Sequence, residues 1–184
     1  DLSTLFRSVA KTMFPEAKIV ADKFHVIRVV INSLENVRKR IQKEFHATKR
    51  KWFKRSRYLL LKPEYKLTDE DKIELARMLN SSYDLEKAYV LKERFYEVFR
   101  KQTRTEAKKE LGNWLLLAAD LSLPEFRHCI TTFSNWKTEI ANIIDERVSN
   151  GFIEGSNNKI KVLKRISFGV RNFDRFRNRI LYLE

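Results

Sequence analysis

Four glycines and three prolines in 184 residues constrain this chain more than any other feature. Hairpin turns draw on Gly, Pro and Asn-Gly pairs at defined positions, and that material is scarce here. The fold is therefore expected to be mainly α. At this length the chain can bury a substantial core as one domain, with room for an elaboration.

Hydrophobic periodicity places the elements. Residues 2 to 13 carry Leu2, Leu5, Phe6, Val9 and Met13 at three- and four-residue spacing, an amphipathic helix closed by Pro15. Residues 17 to 21, AKIVA, form a short, mainly apolar, partly β-branched run ending at Asp22. That pattern suits a buried parallel strand, the one clear strand of the chain. A single strand cannot satisfy its own backbone polar groups, so partner strands from a second chain or from sequence upstream are expected. From Lys23 the period turns helical, with Phe24, Ile27, Val30, Ile31, Leu34, Val37, Ile41 and Phe45 on one stripe.

Further helices are expected from an N-cap at Thr68 to about Leu79, from Asp84 to about Lys101, from Thr105 to Ala119, and from Ser122 and Pro124 to about Asn142. Their Leu and aromatic stripes fall at core spacing. A helix over 151–166 and a last one within 167–184 complete the series. The last is expected to pack on the core and turn a basic face outward.

Thirty-eight Lys and Arg against 24 Asp and Glu leave a net charge of +14, which points to a polyanionic partner, nucleic acid first. Ten of these cations fall within 38–57, RKRIQKEFHATKRKWFKRSR, against the single acid Glu44. Arg50, Lys51, Lys54 and Arg55 are its candidate phosphate contacts, with Phe45, Trp52 and Phe53 interleaved for base stacking. The bland reading is a solvated helix end with the aromatics turned inward. One cysteine, Cys129, and three scattered histidines fit no zinc-ligand spacing, and Cys129 reads as a core residue. No apolar run approaches the ~20 residues that span a bilayer, and the first residues lack a secretory pattern. No membrane partner and a cytoplasmic location are expected.

Glu154 is an isolated acid between Gly151 and Gly155 in an otherwise basic segment. At about 100° per residue, Phe152, Ile153, Ser156, Ile160 and Leu163 form the expected buried face. Glu154, Asn158, Lys161 and Arg165 form a stripe on the other side. Glu154 is either a first-turn charge favoured by the helix dipole or a ligand heading a phosphate-binding stripe. A second acid, Asp22, ends the expected strand, where open α/β sheets place ligand groups.

Three blocks, ADKFHVIRVVINSLENVRKR, WLLLAADLSLPEFRHCITTFSNWKTEI and SNGFIEGSNNKIKVLKRISFGVRNFDRFRNRILYL, together resemble bacterial insertion-sequence transposases of the ISL-three family. The resemblance covers nearly the whole chain. It implies a ribonuclease-H-like catalytic core with an Asp, Asp, Glu triad, in which Asp22 matches the second aspartate and Glu154 the glutamate. Both would then be catalytic and metal-binding. The implied organisation is a remnant of that core over 1–46 (helix, strand, helix), a basic segment and helical insertion over 47–142, and carboxy-terminal helices over 143–184. No aspartate before Asp22 suits the first position, since Asp1 precedes a helix. With its non-methionine start, the chain is expected to be part of a longer protein.

The resemblance further implies two magnesium or manganese ions in the intact enzyme, DNA as partner in the form of transposon ends and target, and a nucleoid-associated location. Metal-dependent strand cleavage and strand transfer would be the activity, and the fragment alone would bind DNA without cutting it. Lys159, Lys161, Lys164, Arg165 and Arg171 become candidate phosphate contacts. Asn158 is a DNA contact, and Asn157 an accessory group that orients Glu154 or meets the backbone. His25, one turn beyond Asp22, is either an accessory to DNA or metal-bound water or a structural histidine. A homo-oligomer stays open, as does the rival reading of a non-catalytic helical DNA-binding or oligomerisation module.

Overall fold

The computed structural model describes residues 2–146 and 151–182, with Ile153 described by its backbone alone. The chain divides into two compact units, Asp1–Arg147 and Val148–Glu184. Helices dominate both, and among the described residues no strand occurs.

In the first unit the α-helices are α1 (Thr4–Met13), α2 (Lys23–Ile41), α3 (Ala47–Arg55), α4 (Arg57–Leu61), α5 (Asp69–Leu79), α6 (Tyr83–Tyr96), α7 (Arg104–Asp120), α8 (Arg127–Asn135) and α9 (Lys137–Glu146). The principal packings are α2 on α6 and α7 on α9. Between them lies an aromatic core: Phe95 stacks on Phe133 with ring centroids 5.1 Å apart and meets Trp114 edge-on at 5.0 Å. Trp114 is 2% exposed and donates its indole N–H to Leu91 O at 2.8 Å, so its one polar atom is satisfied inside the core.

The helix starts follow the capping chemistry written in the sequence. Thr68 accepts from Asp71 N at the start of α5. A full capping box opens α7, where Thr103 accepts from Glu106 N and Glu106 accepts from Thr103 N. It lies two residues before the start expected from periodicity.

The expected strand is absent. Residues 18–21 lie in neither helix nor strand, and their polar groups turn to α9 instead of a neighbouring strand. Ala21 N donates to Glu139 O at 3.0 Å, and Asn142 Nδ2 donates to Ile19 O at 2.7 Å. Lys18 pairs with Asp145 and Glu146 on the same helix. Without partner strands, a helix flank is what satisfies this backbone.

Three further expectations are corrected. The helix from Ser122 to Asn142 breaks into a 3-10 turn, α8 and α9, with Trp136 at the break turned inward, 3% exposed, beneath the Arg7 guanidinium. Phe53 is fully buried and Phe45 and Trp52 pack partly buried against the core, so these aromatics hold α3 to the bundle and are not free to stack on bases. α1 is amphipathic as its spacing predicts, yet Arg7 is the residue that anchors it, to Asn135 O and Glu139, while Leu5, Phe6, Val9 and Met13 face outward.

The second unit consists of α10 (Gly151–Ile166) and α11 (Phe173–Leu181). Leu163 is the buried residue of α10, with Ser156 and Ile160 half-buried beside it. Phe152, expected on that face, is 84% exposed. It sits in the first turn, whereas α11 meets the opposite end of α10, where Arg179 Nη1 donates to Ser167 Oγ at 3.1 Å. The side chain of Ile153, the remaining member of the expected face, lies outside the described residues. Between the two helices Gly169 adopts φ 86°, a conformation that favours glycine, and Asn172 then caps α11 through Arg175 N at 3.0 Å. This punctuation shortens the helix expected within 167–184.

Candidate catalytic acids and nucleic-acid interface

Asp22 sits where the segment after α1 gives way to α2. It is the N-cap: Oδ1 accepts from Phe24 N at 2.7 Å and His25 N at 3.2 Å. Burial works to raise its carboxyl pKa, but the His25 and Phe24 amides, helped by the His25 ring, outweigh it and hold the group below the usual carboxylate value. Its side chain is only 11% exposed. Oδ1 is thus anchored, and Oδ2 makes no hydrogen bond with the described residues. His25 Nδ1 is buried without a hydrogen bond, 3.4 Å from Asp22 Oδ1, and its ring meets Phe24 edge-on. The ring thus stands against the carboxylate it follows.

Glu154 lies in the first turn of α10 and is exposed. Asn158, Lys161 and Arg165 follow on its stripe, all exposed, with Asn157, Lys159 and Lys164 exposed on flanking positions and Arg171 exposed beyond the helix. None of these five cations makes an ion pair among the described residues. Asp22 belongs to the first unit and Glu154 to the second, so each acid is described in its own surroundings. Among the described residues no group of three or more His, Cys, Asp or Glu side chains converges as a metal site.

The basic segment divides into committed and uncommitted cations. Arg38, 4% exposed, grips Glu35 through Nε at 2.9 Å and Nη2 at 3.2 Å, and Arg57 reaches the same carboxylate at 2.7 Å. Arg40 clamps Glu125 at 2.6 Å and Asp84 at 2.9 Å. Lys49 lies 4.1 Å over the Phe45 ring. By contrast, Arg50, Lys51, Lys54 and Arg55 are exposed and make no ion pair among the described residues. At about 100° per residue they share the face of α3 opposite Trp52 and Phe53. Lys39 and Lys43, which sequence reasoning did not single out, are equally uncommitted; only the distribution of acids in three dimensions separates them from Arg38 and Arg40.

A family model for transposases of the ISL3 DDE type matches residues 1–180. The chain belongs to this transposase family. Among curated proteins it is similar to the transposase for insertion sequence element IS1557 of Mycobacterium tuberculosis, 28% identical over 195 residues, covering 94% of this chain and 44% of that protein. The transposase for insertion sequence element IS1001 of Bordetella parapertussis is 26% identical over 180 residues, covering 96% of the chain and 44% of that protein. A shorter match, 32% identical over 116 residues, is to an ATP-dependent protease of Lactococcus lactis subsp. lactis, covering 62% of the chain and 35% of that protein. No solved structure matches the chain. This transposase chain therefore spans less than half the length of the insertion-element transposases it matches. Among its described residues no helix is long and apolar enough to cross a membrane.

Proposed function

We propose that the chain is the carboxy-terminal part of the catalytic region of a DNA transposase, with Asp22 and Glu154 as the second aspartate and the glutamate of a metal-binding triad. The first aspartate belongs to the part of the relatives' length that this chain does not span. On this reading 1–46 is the remnant of a ribonuclease-H-like core, 47–142 the helical insertion and 143–184 the segment that carries the last acid.

The observation that carries the proposal is the state of Asp22. Its carboxyl pKa is held below the usual carboxylate value, its orientation is fixed through Oδ1 by two helix-start amides, and Oδ2 makes no hydrogen bond with the described residues. Hard divalent cations take such oxygen donors. A pair of magnesium or manganese ions, if held by Asp22 and Glu154 in the intact enzyme, would supply activation of the attacking oxygen and stabilisation of the leaving one. The chain's own contribution is to present two oriented carboxylates and to hold the DNA backbone, through α3 (Arg50, Lys51, Lys54, Arg55) and α10 (Lys159, Lys161, Lys164, Arg165), with Arg171, Asn157 and Asn158 in support. Transposon ends and target DNA are the partners, the nucleoid is the site of action, and the chain alone binds DNA without cutting it.

A second reading, a non-catalytic helical DNA-binding or oligomerisation module, draws support from the complete N-cap role of Asp22. The full-length transposase separates the two. Asp22→Asn and Glu154→Gln each lower metal-dependent strand cleavage by at least about 100-fold, while duplex affinity stays at the parent level in metal-free buffer. Cleavage by Glu154→Gln at the parent rate would establish the module reading.

A further inference from the structure

α1 is an amphipathic helix held by its polar side. At about 100° per residue Leu5, Phe6, Val9 and Met13 fall within an arc of about 100° that contains no charged residue. On a surface helix such an arc ordinarily faces the core. Here these four and Phe14, the C-cap residue, are all 50–68% exposed, and no residue of α1 is buried. Arg7, about 150° round the helix from the middle of the arc, holds the other side. Its guanidinium donates to Asn135 O at 2.8 Å and to Glu139 Oε1 at 3.4 Å, and lies 4.2 Å over the Trp136 ring. Glu139 and Trp136 are both buried, so these anchor points are fixed parts of the first unit. Three contacts from one side chain set the rotation of α1 about its axis, and that setting turns the apolar arc to solvent.

A contiguous apolar surface left in water is unfavourable and marks a contact site. Its occupant is either a second copy or more of the same polypeptide. A specific contact between separate molecules draws on about 20–30 residues a side, whereas the arc and Phe14 together offer five large apolar side chains. Packing within one chain needs no such area, because the translational and rotational freedom lost on association is not at stake. The similar transposases supply the length. Matches that cover 94% and 96% of this chain cover 44% of each of those proteins, so more than half of such a transposase lies outside the matched region.

We propose that the apolar arc of α1 is an interior surface of the longer transposase, covered by an apolar face of the part of the same polypeptide that this chain does not span, with Arg7 as the positioning residue that turns the arc toward it. The inference rests on the reading of the chain as part of a longer transposase. It also bears on Asp22. Eight residues separate α1 from that acid, and Ile19 and Ala21 among them are tied to α9, the helix whose Glu139 Arg7 also grips. A part seated on α1 is therefore carried by the same helix that supports the approach to Asp22.

The test places a photo-crosslinking benzophenone side chain at Phe6 of the full-length transposase and identifies its partner peptide by mass spectrometry. The expected partner is an apolar peptide outside the 184 residues, joined within one molecule. In the same protein the amides of α1 are expected to exchange with deuterium at least about 10-fold more slowly than in the 184-residue chain. Arg7→Gln lowers the yield of that crosslink several-fold, and an unchanged yield removes the positioning role of Arg7. A crosslink between two molecules assigns the arc to a second copy and overturns the proposal. A crosslink to residues 1–184 of the same molecule, no crosslink at all, or equal exchange of α1 in the two proteins overturns it as well. Strand cleavage by Asp22→Asn decides the catalytic reading separately, so either can fail while the other stands.

Discussion

The division of the basic segment into committed and uncommitted cations is open to a direct measurement. Neutralising Arg50, Lys51, Lys54 and Arg55 together, each to Gln, removes four exposed charges that make no ion pair in the fold. Each phosphate contact contributes about 0.9 to the slope of log affinity against log salt on duplex DNA, so full engagement of the four makes the slope shallower by about 3.6. Between about 50 and about 200 mM salt the parent then loses about 150-fold more affinity than the variant. Arg40→Gln is the control. Its guanidinium is held by Glu125 at 2.6 Å and Asp84 at 2.9 Å, so it adds nothing to the slope. Being 42% exposed, it costs about 0.5 to 1 kcal/mol of stability when lost. Fluorescence anisotropy on a duplex of about 20 base pairs reads the slopes, and urea unfolding reads stability. A quadruple variant with the parent's slope, or an Arg40→Gln variant whose slope falls by a full contact, would refute the assignment of α3 as a DNA-facing helix.

Three further outcomes follow from the same geometry. Asp22→Ala removes the N-cap of α2 and lowers unfolding free energy by about 1 kcal/mol, whereas Asp22→Asn keeps an acceptor oxygen and stays within about 0.5 kcal/mol of the parent. Because the folded-state pKa of Asp22 is depressed, its contribution is complete above the unfolded value of about 3.9 and is lost as pH falls through the lower folded value. Acid unfolding of Asp22→Asn should therefore show a shallower loss below about pH 4 than the parent, and an equal loss would contradict the ionised cap. Glu35→Gln leaves Arg38, 4% exposed, with a neutral partner and costs about 3 to 5 kcal/mol by urea unfolding, much of it recovered when Arg38 becomes Met as well. Phe152→Ser, at a position 84% exposed, changes stability by no more than about 0.5 kcal/mol, and a larger loss would place Phe152 in a packed interface.

Periodicity and capping residues marked most helices of the bundle because both are local properties of the chain. Thr68 and Thr103 each sit three residues before the group they bond, and the structure uses both. Pairing across the fold is not local. Whether 17–21 becomes a strand depends on neighbours elsewhere, and here Asn142 and Glu139 supply what a strand would have supplied. The break at Trp136 carries no Pro or Gly, and what accompanies it is the inward turn of a tryptophan beneath a distant arginine. Asp22 was legible as the acid before a helix, but its two amide donors belong to the folded geometry.

The distribution of charge ties these observations to function. Segment 38–57 holds ten Lys and Arg against one acid, and 148–184 holds eight against three, so the two regions carry +9 and +5 of the net +14. The remaining 127 residues hold 20 of each sign and are neutral as a whole. A basic protein without a polyanionic partner has no reason to confine its whole surplus to two regions while the rest balances. Nor does the fold absorb that surplus: from 38–57 it takes Arg38, Arg40 and Arg57 into ion pairs with acids drawn from the neutral part, namely Glu35, Asp84 and Glu125. What is left outside is a cationic face on α3 and another on α10. The acid of α10, Glu154, stands at the head of the second face, where a carboxylate that only had to cap a helix would weaken its grip on phosphate. Its presence there is explained if a metal ion, and not the helix dipole alone, offsets the charge.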